Sequence, residues 1–569
     1  MSKLSKLKFV IVFLFFLSFP FIANANVLDQ EVVFNIDASY DLQRRREMTA
    51  ILVKITDRLY FFVDKNWWQE LDWTRRQNFN NSFHNLSLEF ERNIYPRLTA
   101  VFGSEPRPGI DRDERITILI HPMIEEVGGY FNSGDVYSKL QNPRSNQREM
   151  IYFNSEHIDT PQARIILAHE FIHLITVNQK NLLRNVNEET WLNDVRAEYA
   201  STLLGYDDIF RGSNLENRTR IFLRNPNDSL TEWLERIPDY GVVNLFAQYL
   251  VDHYGVKILV DSLQSNRVGI ESINYALRKN NYNKNFSDIF NNWLIALLVN
   301  DCQLGERYCY LNQNLKNFRI APIFYYLPRT KAVFSTSHNT TYWTGNWHRM
   351  VGGGNVLTLE FDGINIAEFK VPYLLCDLNN KCSVDFLSLD EEQRGKITIN
   401  EFNTKYSSLT LMPFIYDKTL EFNGRESVFS FSWRAVIEEK TEAEMENELR
   451  IQLLARINEL QQQIRQLQIQ IAALRGQQPI TCNRFNNNLY FGMRNSLEVR
   501  CLQEFLRNQG PDIYPQGLIT GNFLNLTQQA VIRFQEKHAS EILTPLRLLR
   551  GTGFIGTTTR AKINQLLGF

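Results

Sequence analysis

The residues best placed to do chemistry in this 569-residue chain lie between Ala163 and Ser201. An apolar run, Ile165-Ile166-Leu167-Ala168, leads into His169-Glu170-Phe171-Ile172-His173, an H-E-x-x-H pattern. Side chains four apart share one face of a helix. A helix here would therefore aim two imidazoles at one ion, with Glu170 beside them as a base for water. Zn2+ suits such a pair: it acidifies bound water to a pKa of about 7 and polarises a carbonyl, as amide hydrolysis demands. The pattern alone is short enough to arise by chance, and a catalytic zinc needs a third protein ligand. Of the nine histidines, only His169 and His173 have helical ligand spacing.

The next helical stretch, Glu189–Leu204, reads ETWLNDVRAEYASTLL and carries Asp194 and Glu198 on one face. Asp194 follows His173 by 21 residues, enough for the chain to turn and run back. H-E-x-x-H followed by a W-L-N-x-x-x-x-E-Y helix resembles the gluzincin metallopeptidases, the thermolysin-like clan. The resemblance implies zinc held by His169, His173 and Asp194, with Glu170 as the general base. Asp194 stands where the clan has glutamate, one methylene longer, so the second helix is expected to sit closer. Glu198 falls in the slot of a carboxylate that orients a ligating imidazole. Gluzincins also set a Tyr or His opposite the metal; Tyr240 is the candidate here, with His253 behind it.

These residues need elements to position them. Ala50–Trp68 and Asn80–Phe102 have helix-like apolar spacing, whereas Glu114–Ile120 alternates as a strand. Gly109-Ile110-Asp111-Arg112-Asp113 supplies turn chemistry before that strand. Asp111 and Asp113 suit turn capping better than calcium. Glu149–Asn154, EMIYFN, is expected as the strand that pairs with extended substrate at the cleft edge, with Gly128-Gly129-Tyr130 as the alternative. The order G-I-D-x-D, strand, G-G-Y-F, strand, HExxH, W-L-N is similar to that of secreted hyicolysin-like metallopeptidases over about residues 95–300. Residues 205–300 read as mostly helical, matching the lobe below a gluzincin cleft. The expected fold is an α+β zincin-like domain over 26–300.

The flanks suggest an exported protein. Lys3, Lys6 and Lys8 precede the apolar run Phe9–Ile22 and Ala23-Asn24-Ala25, the pattern of a secretory signal over 1–25. A retained anchor is the rival, but Ser18 and Pro20 interrupt a run already short for a membrane span. The six cysteines fall in sequence-local pairs, Cys302 with Cys309, Cys376 with Cys382 and Cys482 with Cys501. In an exported chain such pairs read as three disulfides; a metal site built from cysteine thiolates is the alternative, without any C-x-x-C to support it. A net charge of −1 argues against a nucleic-acid partner.

Beyond residue 300 the character changes. Asn355–Phe361, Ile397–Glu401, Ser408–Met412 and Val428–Trp433 suggest a β-sandwich-like accessory domain over 301–436, for substrate binding or as a passive spacer. Residues 437–478 carry Leu453, Ile457, Leu460, Ile464, Leu467, Ile471 and Leu474 in alternating steps of four and three. That seam predicts a coiled coil and a homodimer; a single amphipathic helix lying on a neighbouring domain is the other reading. Residues 479–569 resemble the small helical peptidoglycan-binding domains of exported bacterial proteins. The residues carrying the likeness are Val499, Leu502-Gln503-Glu504-Phe505-Leu506, Gly517-Leu518-Ile519-Thr520-Gly521, Thr527, Ala530-Val531, Phe534-Gln535, Gly556 and Thr559. The usual F-G-x-x-T turn is replaced by Phe523-Leu524-Asn525-Leu526-Thr527.

The sequence thus predicts an exported zinc metallopeptidase acting on protein or peptide substrate and tethered to peptidoglycan through residues 482–569. Two rivals stand beside it. One is a hydrolase of cell-wall peptides, the other a non-enzymatic surface or adhesion protein with a degenerate site.

Overall fold

In the computed structural model the described residues are 26–422, 424–437, 442–474, 482 and 484–569; the expected signal segment 1–25 lies outside them. The chain first builds a six-stranded sheet from β1 (Glu31–Asn35), β2 (Glu47–Ile55), β3 (Leu59–Asp64), β4 (Ile116–His121), β5 (Gly129–Tyr130) and β6 (Met150–Asn154), in the order β1-β2-β3-β4-β6-β5. The central strands β3, β4 and β6 are parallel and the outer pairings antiparallel. LYFFVD, ITILIH and MIYFN are buried along their whole length, as parallel strands covered on both faces must be. In β3, Leu59, Phe61 and Val63 enter the main core, while Tyr60 and Phe62 join a second cluster with Phe34, Leu52 and Tyr152.

Two expectations change here. Ala50–Trp68 is not a helix: it forms most of β2, all of β3 and the start of α1 (Lys65–Glu70). Its aromatic and β-branched residues favour the pleat, β2 alternates in burial, and Thr56 caps the hairpin by accepting the Leu59 N–H at 3.1 Å. EMIYFN is a strand, but β6 is paired on both sides and therefore interior. The free edge belongs to β5, the Gly-Gly-Tyr segment. A Cβ on Gly129 would lie 2.8 Å from the Tyr152 carbonyl oxygen and 2.9 Å from Ile166, so glycine allows the edge strand to lie this close.

Asp111 and Asp113 act in the turn. Asp111 accepts the Asp113 N–H at 2.9 Å, and Asp113 accepts the Tyr60 hydroxyl at 2.6 Å. Nearby Glu149 is pushed up to about 7, by burial first, against the N–H of Ile110 and with Asp111 adding repulsion. The folded state therefore holds this proton more tightly than the unfolded chain, whose value is near 4.5. The group's stabilisation is complete below about 4.5 and is lost as pH rises through about 7, by up to about 3 kcal/mol. Glu149→Gln should flatten the fall in urea midpoint across that window.

Helices α2 (Trp73–Glu89) and α3 (Tyr95–Phe102) cover the sheet. After β6 come α4 (Ala163–Thr176), α5 (Thr190–Leu203), α6 (Asn214–Arg224), α7 (Ile237–Tyr254), α8 (Lys257–Leu263), α9 (Gly269–Lys279) and α10 (Phe286–Val299). The link from α4 to α5 is fixed by a buried ion cluster. Glu188 meets Lys180 at 3.3 Å and Arg196 at 2.9 Å, while Lys180 donates to the carbonyls of Ser262 and Ser265.

Residues 301–437 form two sheets. β7 (Ile323–Leu327), β8 (Ala332–Thr340), β9 (His348–Gly352), β10 (Val356–Gly363), β11 (Phe369–Asp377), β12 (Cys382–Leu387), β13 (Arg394–Asn400), β14 (Tyr406–Leu411), β15 (Phe414–Ile415) and β16 (Phe429–Ile437) give the orders β13-β10-β16-β8 and β12-β11-β14-β9-β7, with β15 on β11. Leu357, Leu359, Phe431 and Trp433 of one sheet share a core with Met350, Val371, Leu409 and Leu411 of the other. This segment is not a detached spacer. The described residues up to Glu448 make one compact unit, and Trp343, Trp347 and Phe414 pack into the main core with α10. The Trp347 indole N–H donates to Leu294 O at 3.0 Å.

Helix α11 (Glu442–Leu474) runs past the boundary of the second unit, Leu449–Phe569. Leu453, Ile457, Leu460, Ile464 and Leu467 of the expected seam are exposed along it; the side chains of Ile471 and Leu474 lie outside the described residues. Then come α12 (Leu497–Asn508), α13 (Asn525–Lys537), α14 (Ala539–Ile542) and α15 (Thr557–Leu566) around their own core. An internal repeat, not anticipated from sequence, organises this part. Gln503 accepts the N–H groups of Thr520 and Gly521 and donates to Thr527; 32 positions on, Gln535 accepts those of Thr552 and Gly553 and donates to Thr559. All three expected disulfides are present, with Cys376 and Cys382 directly opposite on β11 and β12. Among the described residues no helix is long and apolar enough to cross a membrane.

Candidate metal centre

Helix α4 is built on the apolar residues Ile165–Ala168, Phe171, Ile172, Leu174 and Ile175, and it is buried from Leu167 onward except where its histidines face the cleft. α5 packs antiparallel against it through Trp191, Leu192, Val195 and Ala197, all buried. That pairing brings Asp194 to both histidines: its Oδ1 is 3.3 Å from His169 Nε2 and 3.7 Å from His173 Nε2. Donors about 2.0–2.1 Å from a four-coordinate zinc stand roughly 3.3 Å apart. The ligand atoms of His169, His173 and Asp194 all lie within 4.8 Å of one another, the only such His/Cys/Asp/Glu group among the described residues. The shorter aspartate therefore reaches. His173 Nδ1 is buried without a hydrogen-bond partner among the described residues, and its Nε2 is the nitrogen turned to Asp194. Two imidazoles and a carboxylate are a donor set that Zn2+ accepts, so the residues fit the ion.

Glu198, one turn after Asp194, meets His169 Nδ1 at 3.4 Å, which leaves Nε2 for the metal side. The same carboxylate accepts from Arg218 at 2.6 and 2.8 Å, from Asn214 at 3.1 Å and from Asn244 at 3.1 Å. Burial opposes its charge, but Arg218 and His169 outweigh burial and hold it far below the usual carboxylate range. Burial likewise disfavours a charged His169, yet Asp194 and Glu198 push its imidazole up to about 10 when no ion competes. Glu198 thus ties α4, α5, α6 and α7 together behind the ligands. Arg218, Asn214 and Asn244 were invisible in sequence because α6 and α7 carry no pattern that marks them. Glu198→Gln should weaken metal binding by about 10–100-fold, read by chelator competition; it should also lower Tm, since Arg218 loses its ion-pair partner.

Glu170 is buried beside the trio without being one of its donors. Burial raises its pKa, His169 and His173 pull it back, and Asp194 and Glu198 raise it again. Its Cγ would be 3.6 Å from a Cβ on Gly129, so the base lies against the edge strand β5. Tyr240, in the first turn of α7, has its ring centroid 6.2 Å from that of His169 and packs against Trp233 and Arg218. Burial, with Asp194 and Glu170 adding repulsion, keeps its phenol protonated and able to donate. His253 lies near the other end of α7, at 2.9 Å from the Cys309 carbonyl oxygen, outside the site. Tyr40, not singled out in sequence, packs its ring at a tilt against Tyr130 of β5, centroids 4.9 Å apart, and donates to Glu235 just before α7 at 3.0 Å, tying the two rims of the cleft.

The β-rich segment braces this site. Glu189, which precedes α5, accepts the Glu421 N–H at 2.9 Å and the Trp191 indole N–H at 2.7 Å.

No protein-family model matches the chain, and no curated protein matches it. Among solved structures, the Yersinia pseudotuberculosis-derived mitogen is similar over 20% of this chain and 91% of its own, at 11% identity and a TM-score of 0.14. CorA, a surface-associated copper-binding protein of Methylomicrobium album BG8, is similar over 21% and 98%, at 9% identity and a TM-score of 0.12. A family GH115 4-O-methyl-α-glucuronidase is similar over 57% and 51%, at 9% identity and a TM-score of 0.13. Likenesses of this size assign neither fold nor activity, so the chain is characterised by its own residues.

Proposed function

We propose that the protein is an exported zinc metallopeptidase of gluzincin type, with His169, His173 and Asp194 as metal ligands. The observation carrying this reading is the convergence of those three donors beside a buried Glu170 and a sheet edge. Zn2+ bound there would supply Lewis acidity, acidifying water and polarising the scissile carbonyl. Glu170 takes the proton of the attacking water and hands it to the leaving amine. The Tyr240 hydroxyl donates a hydrogen bond to the oxygen where negative charge develops. The free edge of β5 offers main-chain groups to an extended peptide, so the substrate adds to the sheet as one more strand. Glu198, fixed by Arg218 and Asn244, holds His169 in the tautomer that leaves Nε2 free.

The second unit is proposed to tether the enzyme to peptidoglycan. A cavity of about 430 Å³ lined by Phe491, Tyr514, Leu518, Thr520, Asn522 and Leu524 supports this, with Leu524 standing where the second repeat has Gly556. The exposed seam of α11 supports pairing with a second copy.

Digestion of an unfolded generic protein by residues 26–569, with and without chelator, tests the enzyme reading. Cleavage that chelation abolishes and Zn2+ restores is expected. Release of peptides from purified cell wall, with none from the generic protein, would favour the wall-hydrolase alternative. A protein that binds zinc and cleaves neither would be the non-enzymatic one.

A further inference from the structure

The repeat in the second unit exposes a surface that its fold does not require. Gln503 and Gln535, 32 positions apart, each bond to a following turn, Thr520-Gly521 in one copy and Thr552-Gly553 in the other. The segment between glutamine and turn is therefore equally long in both copies. In the first copy its tip is Pro515-Gln516-Gly517. The matching positions of the second are Arg547-Leu548-Leu549, with Leu546 before them and Arg550 after. Tyr514, the counterpart of Leu546, is 3% exposed, whereas Leu546 is 52%, Leu548 39% and Leu549 99% exposed. The same element is thus built once without leucines in water and once with them.

Backbone hydrogen bonds hold these side chains out. Ile542 and Leu543 anchor the segment in the core of the unit. The Leu546 and Leu548 N–H groups both donate to Leu543 O, at 3.0 and 3.1 Å, and the Arg547 N–H donates to Thr544 O at 3.1 Å. Beyond the tip, the Gly551 N–H donates to Glu536 at 3.2 Å. Thr544–Arg550 is exposed at every position, so it is a projection and not the wall of a groove. Single exposed leucines are ordinary. Three of them on one fixed loop, interleaved with two arginines, make a patch that marks a docking surface.

Charge indicates the occupant. Neither the Arg547 nor the Arg550 side chain has an ion-pair partner among the described residues. The neighbouring acids are engaged elsewhere, Glu541 with Lys562 at 2.7 Å and with His538 at 3.5 Å, and Glu536 with the Gly551 N–H. Residues 484–569 carry ten Lys and Arg against five Asp and Glu, a positive excess within a chain of net charge −1. We propose that Thr544–Arg550 docks on an anionic phospholipid bilayer. Leu546, Leu548 and Leu549 enter the boundary between headgroups and acyl chains, while Arg547 and Arg550 pair with lipid phosphates just above them. A glycan strand lacks the apolar depth that three leucines need, so this contact is separate from the proposed hold on peptidoglycan and independent of the metal centre.

The experiment is flotation of residues 26–569 with vesicles of phosphatidylglycerol and phosphatidylcholine in equal parts, beside vesicles of phosphatidylcholine alone. The wild type should bind the anionic vesicles, less so as salt is raised, and leave the neutral ones. Leu546→Ser combined with Leu549→Ser should weaken binding at least about 10-fold, and Arg550→Gln about 5-fold. Both variants should keep the wild-type Tm, because the altered side chains are exposed. Leu549→Cys supplies a single reactive thiol, since the native cysteines are all in disulfides. A polarity-sensitive fluorophore attached there should shift to the blue when vesicles bind. A wild type that binds no anionic vesicle, a double-serine variant that binds as tightly, or a fluorophore unmoved by bound vesicles would overturn the proposal. Self-association without lipid that the double-serine variant abolishes would also overturn it, assigning the loop to a second copy of the chain.

Discussion

Glu170→Gln should lower kcat by about 10²–10⁴-fold, the range a positioned general base contributes, while leaving bound zinc and the melting temperature close to wild type. Glutamine keeps the shape of the side chain, which matters where Glu170 is 6% exposed and pressed against the strand carrying Gly129. It cannot accept the proton. Glu170 is not among the three converging donors, so the metal should stay. Metal assay and kinetics on the same preparation separate the two effects: lost zinc would mean the carboxylate holds the site together, and undiminished kcat would remove it from the chemistry. Tyr240→Phe makes the companion measurement. Loss of one oxyanion donor costs about 10²–10³-fold in kcat, with KM little changed if the phenol acts only on the transition state.

How much of this could be read from the chain depends on whether the information is local. His169, Glu170, His173 and Asp194 are legible because helical spacing is a local rule: residues four apart share a face, and 21 residues are enough to bring a second helix back. The cysteine pairs are legible for the same reason. Ala50–Trp68 misleads because an apolar stretch so rich in aromatic and β-branched residues satisfies period 3.6 and period 2 at once, and the sheet decides. Which strand is the edge is not a property of its sequence. MIYFN and the Gly129-Tyr130 pair each suit a strand, and only the order β4-β6-β5 places Tyr130 outermost. Arg218, Asn244 and Tyr40 are further examples, since their roles arise from elements distant in sequence that Glu198, His169 and Glu235 bring together. The repeat around Gln503 and Gln535 was within reach: a comparison of Val499–Thr527 with Val531–Thr559 aligns the glutamine, the turn glycine and the threonine.

Asp194 permits a discriminating test, because the resemblance and the structure point to different outcomes for the same swap. By the resemblance to gluzincins, Asp194→Glu restores the geometry common to that clan. In the structure the aspartate already lies 3.3 and 3.7 Å from the two ligand nitrogens, is 3% exposed, and is flanked by Leu192 and Val195, both fully buried. A further methylene would carry the carboxylate past these contact distances to His169 and His173. It must either fold back or drive α4 and α5 apart, and overpacking of this kind costs about 1–3 kcal/mol. Asp194→Glu is therefore expected to lower zinc affinity by about 10-fold, a loss of about 1.4 kcal/mol, with a fall in Tm. Asp194→Ala, leaving two imidazoles, should lose the metal outright under chelator competition. Equal zinc affinity in the alanine variant would remove Asp194 from the ligand set. Tighter binding by the glutamate variant would mean that the two helices stand further apart in the metal-loaded protein than the 3.3 Å contact between His169 and Asp194 implies.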